Sequence, residues 1–570
     1  MSFGRLLLVV LLLGCGSAFW SAEAWAKKPK ASRSQAAKNI SGREIFLREW
    51  LPNDPRSHGG DGLGPVFNDT SCVACHNQGG IGGGGAEGKN VDSISAVFAP
   101  EEAMIPFVPA DSADVEASEQ ATLWEAILSL FREEDPTEPQ KRLDELKRIH
   151  PGLVTSRSVV LHKSGTDTEY AKWRSGILMG DRFERIGIEF DDPMAVTGVR
   201  QIAVPTAEVS EVVSAAPEKP SLFETLLSFF QDSTDLMTDI MESRDESEFT
   251  DDMRVIFKEV EFSGSPFGPP SHNGNFQITV ARRNTTALFG AGLIDAIPDA
   301  TLEEIAALRH EKFPHVTGRV ARLKDGKIGR FGWKAQKASL HDFTMAACAV
   351  ELGLHVPEHA QAGLPHKPDY KPTGYDLNQG ECAALVQFLK ELPAPRKQTA
   401  EEPKIAEYLS AGEKLFTQIG CAVCHMPRLG EVNGLYSDLL LHDMGPMLLD
   451  SGTYGVFQPD SPGDDAEEPL PSITQVQPLP VFGFRSFEAE AKTPKFGAAQ
   501  SEWRTPPLWG VRDSGPYLHD GRAKTLEQAI ALHGGEAQQI TFNFFRLSKE
   551  EQTQVVSFLR TLVAPETITK

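Results

Sequence analysis

A chain of 570 residues is too long for one hydrophobic core, so two or more domains are expected. Charged residues at 24% and aromatic residues at 8% are ordinary for soluble globular protein. The formal net charge of −23 argues against nucleic acid as a partner, whose phosphates this surface would repel, and leaves a solvated acidic surface or a basic redox partner.

The chain opens with the pattern of an export signal over residues 1–26. Arg5 supplies a positive charge, Leu6 to Leu13 an apolar core of eight residues, and Ala24-Trp25-Ala26 a small-x-small cleavage site. Eight apolar residues are too few to span a bilayer. Leu13-Gly14-Cys15 offers the alternative of a lipoprotein signal, and the chain is expected at a membrane only if Cys15 is lipidated. The expected location is the periplasm, or another extracytoplasmic space. Residues 27–38 read as a basic linker.

Gly42-Arg43-Glu44-Ile45-Phe46 then predicts a short helix leading into Cys72-Val73-Ala74-Cys75-His76. Two thiols three positions apart can each add to one vinyl group of a haem, and the adjoining imidazole then sits under the iron. A redox Cys-x-x-Cys needs no histidine at that position, and a zinc site needs a second Cys or His pair nearby, which is absent. The glycine-rich run Gly79 to Gly85 lacks the Lys-Ser/Thr of a phosphate loop and reads as a flexible rim beside this haem. Residues 100–260 are an excess over the rest. They include amphipathic helical runs at Thr122 to Phe131 and Leu222 to Met241 and an acidic segment from Glu242 to Asp252. Single histidines such as His58, His150 and His272 read as surface or core residues.

The pattern is then written again. Gly412-Glu413-Lys414-Leu415-Phe416 precedes a second motif, Cys421-Ala422-Val423-Cys424-His425. Arg283-Asn284-Thr285-Thr286 has a counterpart in Arg504-Thr505-Pro506-Pro507. Phe388-Leu389-Lys390-Glu391-Leu392-Pro393 has one in Phe558-Leu559-Arg560-Thr561-Leu562-Val563-Ala564-Pro565. Proline stops both terminal helices. The chain is therefore cut near 396, into a cytochrome c-like domain over 39–396 that carries the insertion and a second over 397–570. Residues 456–472 read as a long loop, and Ser548-Lys549-Glu550-Glu551 as the capping box of the final helix. The expected fold is mainly α, two haem domains with long loops, and no run of alternating strands predicts a large sheet. Of the seven cysteines, Cys348 and Cys382 remain after Cys15 and the four haem thiols. An oxidising compartment favours a disulfide between them, the alternative being two buried free thiols.

Several longer segments resemble the di-haem oxidoreductase family within the di-haem cytochrome c peroxidase superfamily. They are Gly64-Pro65-Val66-Phe67-Asn68-Asp69-Thr70-Ser71, Gly329-Arg330-Phe331-Gly332-Trp333-Lys334-Ala335, Tyr436 to Pro446, and Trp503 to Ala537 with Gly515-Pro516-Tyr517-Leu518-His519-Asp520-Gly521. The resemblance covers both haem motifs but not residues 100–260. It implies two covalently bound haem c groups, held by Cys72, Cys75, Cys421 and Cys424, with His76 and His425 on the irons. It implies His533 as sixth ligand of the second iron, seventeen residues after Pro516, with Met444 and His442 as alternatives. Trp333 matches a tryptophan that relays electrons between haems, and Glu351 a distal glutamate that moves protons. The family's distal glutamine, ten residues after that tryptophan, falls on Phe343. Either His341 or Asp342 substitutes for it, or peroxidase activity is weak. A calcium ion between the haems, held partly by backbone oxygens of Ser514 and Pro516, is also implied. His519 and Asp520 read as structural.

The expected function is that of an exported oxidoreductase of the cytochrome c peroxidase type, reducing hydrogen peroxide with electrons from a small donor protein. Two other readings stay open. One is a non-catalytic di-haem electron-transfer cytochrome. The other is an oxidase of a protein or small-molecule substrate acting through high-valent haem.

Overall fold

The computed structural model describes residues 40–98, 138–179 apart from 157, 271–450, and 494–566 apart from 495. The export signal, the linker at 27–38, the helical runs Thr122 to Phe131 and Leu222 to Met241, the acidic segment and the loop at 456–472 lie outside these residues. Among the described residues no helix is long and apolar enough to cross a membrane.

The repeated Gly-x-x-aliphatic-Phe pattern marks one packing arrangement that occurs twice. In the first half, helix Gly42–Leu47, capped by Ser41, lies against helix Gln379–Lys390, which starts in a capping box of Asn378 and Glu381. In the second half, helix Pro403–Ile419 lies against helix Lys549–Leu559, and the expected capping box of Ser548 and Glu551 is present. The glycine is the point of closest approach. A Cβ on Gly42 would stand 1.9 Å from the Ala384 carbonyl oxygen, and one on Gly412 would stand 2.0 Å from that of Gln554. The phenylalanine four positions later is on the same helix face. Phe46 meets Phe388 at 5.4 Å between ring centres, and Phe416 meets Phe558 at 5.5 Å. Phe46 and Phe416 also each stand 6.5 Å from the histidine of their own Cys-x-x-Cys-His motif. Burying each ring stabilises the crossing by about 1.5–3 kcal/mol. Strand Arg396–Lys397 pairs antiparallel with Leu562–Val563, which places the segment entering the second half beside its end.

No large sheet is expected from the sequence, and the described residues do hold one of moderate size. Val91–Phe98 and Phe276–Arg283 pair antiparallel along their whole length, flanked by Val159–Val160 and Ser271–Asn273 in a four-stranded sheet. Ile94, Phe276 and Ile278 from this sheet share a core with Leu146, Ile149 and Ile177 from helices Glu138–Ile149 and Thr168–Met179. The described part of the insertion thus packs on a sheet formed mostly by the strands that flank it. Those two long strands bring residues 98 and 276 together, so the chain leaves for the insertion and returns from it at one place.

Cys348 and Cys382 are free thiols, so the expected disulfide is replaced by its alternative. Both are buried in the core of the first half with Leu340, Leu385 and Leu389, where they act as small apolar side chains. Burial pushes the Cys382 thiol up to about 11.

Gly412→Ala forces a methyl group into the Gln554 carbonyl and is expected to destabilise the protein by roughly 1–3 kcal/mol. Gly363→Ala, with open space at its Cβ position, leaves the melting temperature unchanged. Thermal unfolding of the two variants checks the pair.

Candidate active site

The second motif begins where helix Pro403–Ile419 ends at Gly420, whose φ of 112° turns the chain into the short helical turn Cys421–Val423. Cys421, Cys424 and His425 line a large cavity walled by Phe416, Leu526, Ala529, Val555 and Leu559. Burial pushes the Cys421 thiol up to about 12, and Cys72 of the first motif likewise. A redox Cys-x-x-Cys needs the opposite, a thiol lowered toward neutrality. The same cavity carries His533, just beyond helix Leu526–Ala531.

Two of the four imidazoles lining this cavity, those of His425 and His533, are set alike. Nδ1 of His425 lies 3.0 Å from the Tyr436 carbonyl oxygen, and Nδ1 of His533 lies 2.6 Å from that of Ala529. A carbonyl only accepts, so each Nδ1 carries the proton and each Nε2 keeps its lone pair. Burial lowers both pKa values, that of His425 to about 4, which keeps the rings neutral. Their ring centres are 6.5 Å apart. Two imidazoles bound through nitrogen to opposite sides of one metal ion, at metal–nitrogen distances of about 2.0 Å, bring their ring centres to roughly 6.4 Å. The thiols, the neutral rings and their spacing fit a covalently held haem with two histidine ligands.

His442, the alternative ligand, is corrected. Its Nδ1 lies 2.8 Å from Glu536 Oε2 and its Nε2 2.9 Å from Asp438 Oδ2, so both nitrogens donate. Burial opposes the charge, but the Asp438 carboxylate, with the Cys424 sulfur beside it, outweighs burial and holds the ring well above its ordinary pKa. An imidazolium has no lone pair for iron. Cys424, Asp438 and His442 bring ligand-type atoms within 4.8 Å of one another, and the occupied nitrogens make this an ion pair. Met444 lines the same cavity from an apolar cluster with Leu448 and Trp503.

In the first motif, Ser71 caps the single turn Cys72–Cys75. His76 Nδ1 lies 3.2 Å from the Gly83 carbonyl oxygen, and burial lowers its pKa to about 4. The glycine-rich run is a tight wrap around this ring, not a loose rim. A Cβ on Gly83 would stand 1.7 Å from the Gln78 carbonyl oxygen, and one on Gly85 would stand 2.6 Å from that of Cys75. The cavity here is lined by Phe46, Leu385 and Leu389 from the helix crossing, and by one stripe of helix Leu340–Glu351, namely Phe343, Thr344, Ala347, Cys348 and Glu351. Among the described residues lining it, His76 is the only histidine or methionine.

The expected stand-ins for the missing glutamine do not reach this cavity. His341 is exposed, and Asp342 is paired with Lys337 and His359. A different residue does reach it, Gln336. The chain turns sharply at Gly332, whose φ is 84°, and the Gln336 amide lies where a Cβ on that glycine would be. Gln336 Oε1 accepts the Lys334 N–H at 3.1 Å, which fixes the oxygen side of the amide. The signal was a glutamine three residues past Trp333, legible only once the turn is known. Phe343 stacks on Phe331 at 5.9 Å.

Seven residues, Asn284, Thr285, Thr286, Leu288, Gly332, Trp333 and Phe343, line both cavities. The Trp333 indole is held there by its Nε1–H, which donates to the Asn284 carbonyl at 2.9 Å. Near the Pro-Tyr segment, the Pro516 carbonyl accepts the Asn284 amide at 2.6 Å, and the Gly515 carbonyl accepts that of Gln78 at 2.8 Å. The amide oxygens of Gln78, Asn90 and Asn284 are buried without a hydrogen-bond donor. Neutral oxygens of this kind suit a hard cation. His519 stacks on Trp503 at 3.6 Å and lies 3.3 Å from Asp450, which also binds Arg283, so it is part of a buried structural layer.

Residues 489–562 match the family model described as "Di-haem oxidoreductase, putative peroxidase". Over 199 residues the chain is 29% identical to the methylamine utilization protein MauG of Methylorubrum extorquens, a match covering 33% of this chain and 45% of that protein. Over 199 residues it is 27% identical to the cytochrome-c peroxidase IdrP1 of Denitromonas iodatirespirans, covering 32% of this chain and 47% of that protein. The chain spans less than half the length of these curated relatives. A solved structure of a MauG-like protein associated with microbial copper homeostasis aligns over 47% of this chain and 90% of that one, at 15% identity and a TM-score of 0.22.

His533→Ala is expected to abolish the low-spin spectrum of the second haem. His442→Gln leaves that spectrum intact but lowers stability by roughly 3–5 kcal/mol, because it strands two carboxylates in a buried site. Optical and EPR spectra with thermal unfolding separate the two variants.

Proposed function

We propose that this chain, a di-haem oxidoreductase by the family its C-terminal segment matches, works outside the cytoplasm and reduces hydrogen peroxide to water with electrons from a small donor protein. The observation that carries the reading is the inequality of the two cavities. In one, the neutral imidazoles of His425 and His533 stand 6.5 Å apart. In the other, His76 is the one histidine among the described lining residues, which also include Glu351 and Gln336. Haem c bound through each Cys-x-x-Cys-His motif supplies a redox-active iron. His425 and His533 would together hold the second iron, and two such strong ligands would limit its reorganisation and suit it to storing an electron. His76 would hold the first iron, in a cavity with room for substrate.

Peroxide takes up two electrons and two protons, its O–O bond breaks, and two waters leave. The Glu351 carboxylate accepts a proton from one peroxide oxygen and returns it to the other, which is general acid–base work. The Gln336 amide orients the peroxide by a hydrogen bond, the part the family's glutamine would play where this chain has Phe343. Trp333, which lines both cavities, carries electrons between them. A calcium ion bound by the Ser514 and Pro516 carbonyls, with oxygens drawn from Gln78, Asn90 and Asn284, would hold the segments around Trp333 in place. Likeness to a methylamine utilization protein supports a second reading, oxidation of a dedicated substrate in the same first cavity.

The holoprotein is expected to contain one high-spin haem that reacts with peroxide and one low-spin haem that does not, and two low-spin haems inert to peroxide would overturn the proposal. Stopped-flow mixing with peroxide and a reduced small cytochrome checks it. Glu351→Gln is expected to slow the peroxide reaction by about 10²–10⁴-fold, and Gln336→Leu to slow it less. Removal of calcium with a chelator is expected to lower the melting temperature and slow electron transfer between the haems, read by thermal unfolding and stopped flow.

A further inference from the structure

Glu351 stands in an unfavourable place for a carboxylate. It is the last residue of helix Leu340–Glu351, where the helix presents unsatisfied carbonyls and the negative end of its dipole. Left alone, its long side chain would turn away from that end. A buried residue opposes this. Asn68, only 7% exposed, donates from Nδ2 to Glu351 Oε2 at 2.8 Å. Its backbone N–H donates to the Glu351 carbonyl at 2.7 Å, so it grips the residue at both ends. The amide cannot turn over, because Asn68 Oδ1 accepts the backbone N–H of Lys163 at 3.0 Å.

Lys163 belongs to the insertion. The next residues, Ser164–Gly165, pair antiparallel with Val66–Phe67, immediately before Asn68. The Thr166 N–H donates to the Pro65 carbonyl at 3.0 Å, and Lys163 Nζ reaches the Gly88 carbonyl at 2.5 Å. The insertion thus clamps both sides of the first Cys-x-x-Cys-His motif.

We propose that Asn68 is the positioning residue for the Glu351 carboxylate, and that the insertion sets it through Lys163, so that residues outside the haem motifs govern proton transfer in the first cavity. The proposal rests on the reading of Glu351 as the group that moves the proton. Asn68 itself touches no substrate in this account. Its one task is to hold a charged oxygen against the pull of the helix end.

The test uses the full holoprotein and four variants: Asn68→Ala, Asn68→Asp, Glu351→Gln, and the double variant Asn68→Ala/Glu351→Gln. Asn68→Asp keeps the shape and the acceptor for Lys163 but removes the amide donor. Both Asn68 variants are expected to react with peroxide about 10–100-fold more slowly, the scale of a misplacement near 1 Å. In the Glu351→Gln background, Asn68→Ala is expected to add little, since the two residues act as one unit. The crystal structure of Asn68→Ala is expected to show the Glu351 carboxylate displaced or divided between rotamers. Wild-type rates in either Asn68 variant, an unmoved carboxylate, or effects that multiply in the double variant would overturn the proposal while leaving the role of Glu351 intact. A wild-type rate in Glu351→Gln would overturn that role and the proposal with it.

Discussion

An imidazole serves a metal only while one of its nitrogens keeps a lone pair, and in this chain backbone carbonyls secure that condition. His76, His425 and His533 each place Nδ1 against a carbonyl, from Gly83, Tyr436 and Ala529. A carbonyl is a fixed acceptor that cannot be protonated, so it sets the tautomer without adding charge. His442 is the contrast. Its two carboxylate partners make it a cation, and a ring whose Nδ1 lies 3.7 Å from the Cys424 sulfur is lost to the iron. Partner type, more than distance, separates ligand from ion pair.

The two Cys-x-x-Cys-His cavities start from the same scaffold and diverge in what is added to it. Gly42 and Gly412 allow the same helix contact, and Phe46 and Phe416 place the same ring beside the histidine of the motif. Beyond that scaffold, helix Leu526–Ala531 delivers a histidine to the second cavity, whereas helix Leu340–Glu351 delivers a carboxylate to the first. A neutral ring and a charged side chain ask for different surroundings. The ring needs one carbonyl. The carboxylate at a helix end needs a donor, and Asn68 is that donor.

The insertion belongs in the same account. The flanking strands Val91–Phe98 and Phe276–Arg283 hold its two ends together at residues 98 and 276, so it interrupts the scaffold in one place. Its short pairing with Val66–Phe67 nevertheless reaches the segment entering the first motif. A unit that shares no sequence pattern with the rest of the chain is thereby tied to the first cavity.

What the sequence determined by itself was local. The spacing of Cys72, Cys75 and His76, and of Cys421, Cys424 and His425, is dictated by covalent geometry and readable without a fold. The capping box at Ser548 and the glycine–phenylalanine pairs are set within a few residues and were equally legible. Trp333 and Glu351 were read from resemblance, and the tertiary structure places both on the wall of the first cavity. Other features were decided by packing alone. Val91–Phe98 finds its partner far along the chain, and its weak alternation gave no warning because both faces are partly covered. Gln336 enters the cavity only because the turn at Gly332 folds it back. Cys348 and Cys382 stay as thiols because the core uses them as apolar side chains. Short-range chemistry is written in the order of residues, whereas the partner of a buried polar group depends on which distant segment the core brings beside it.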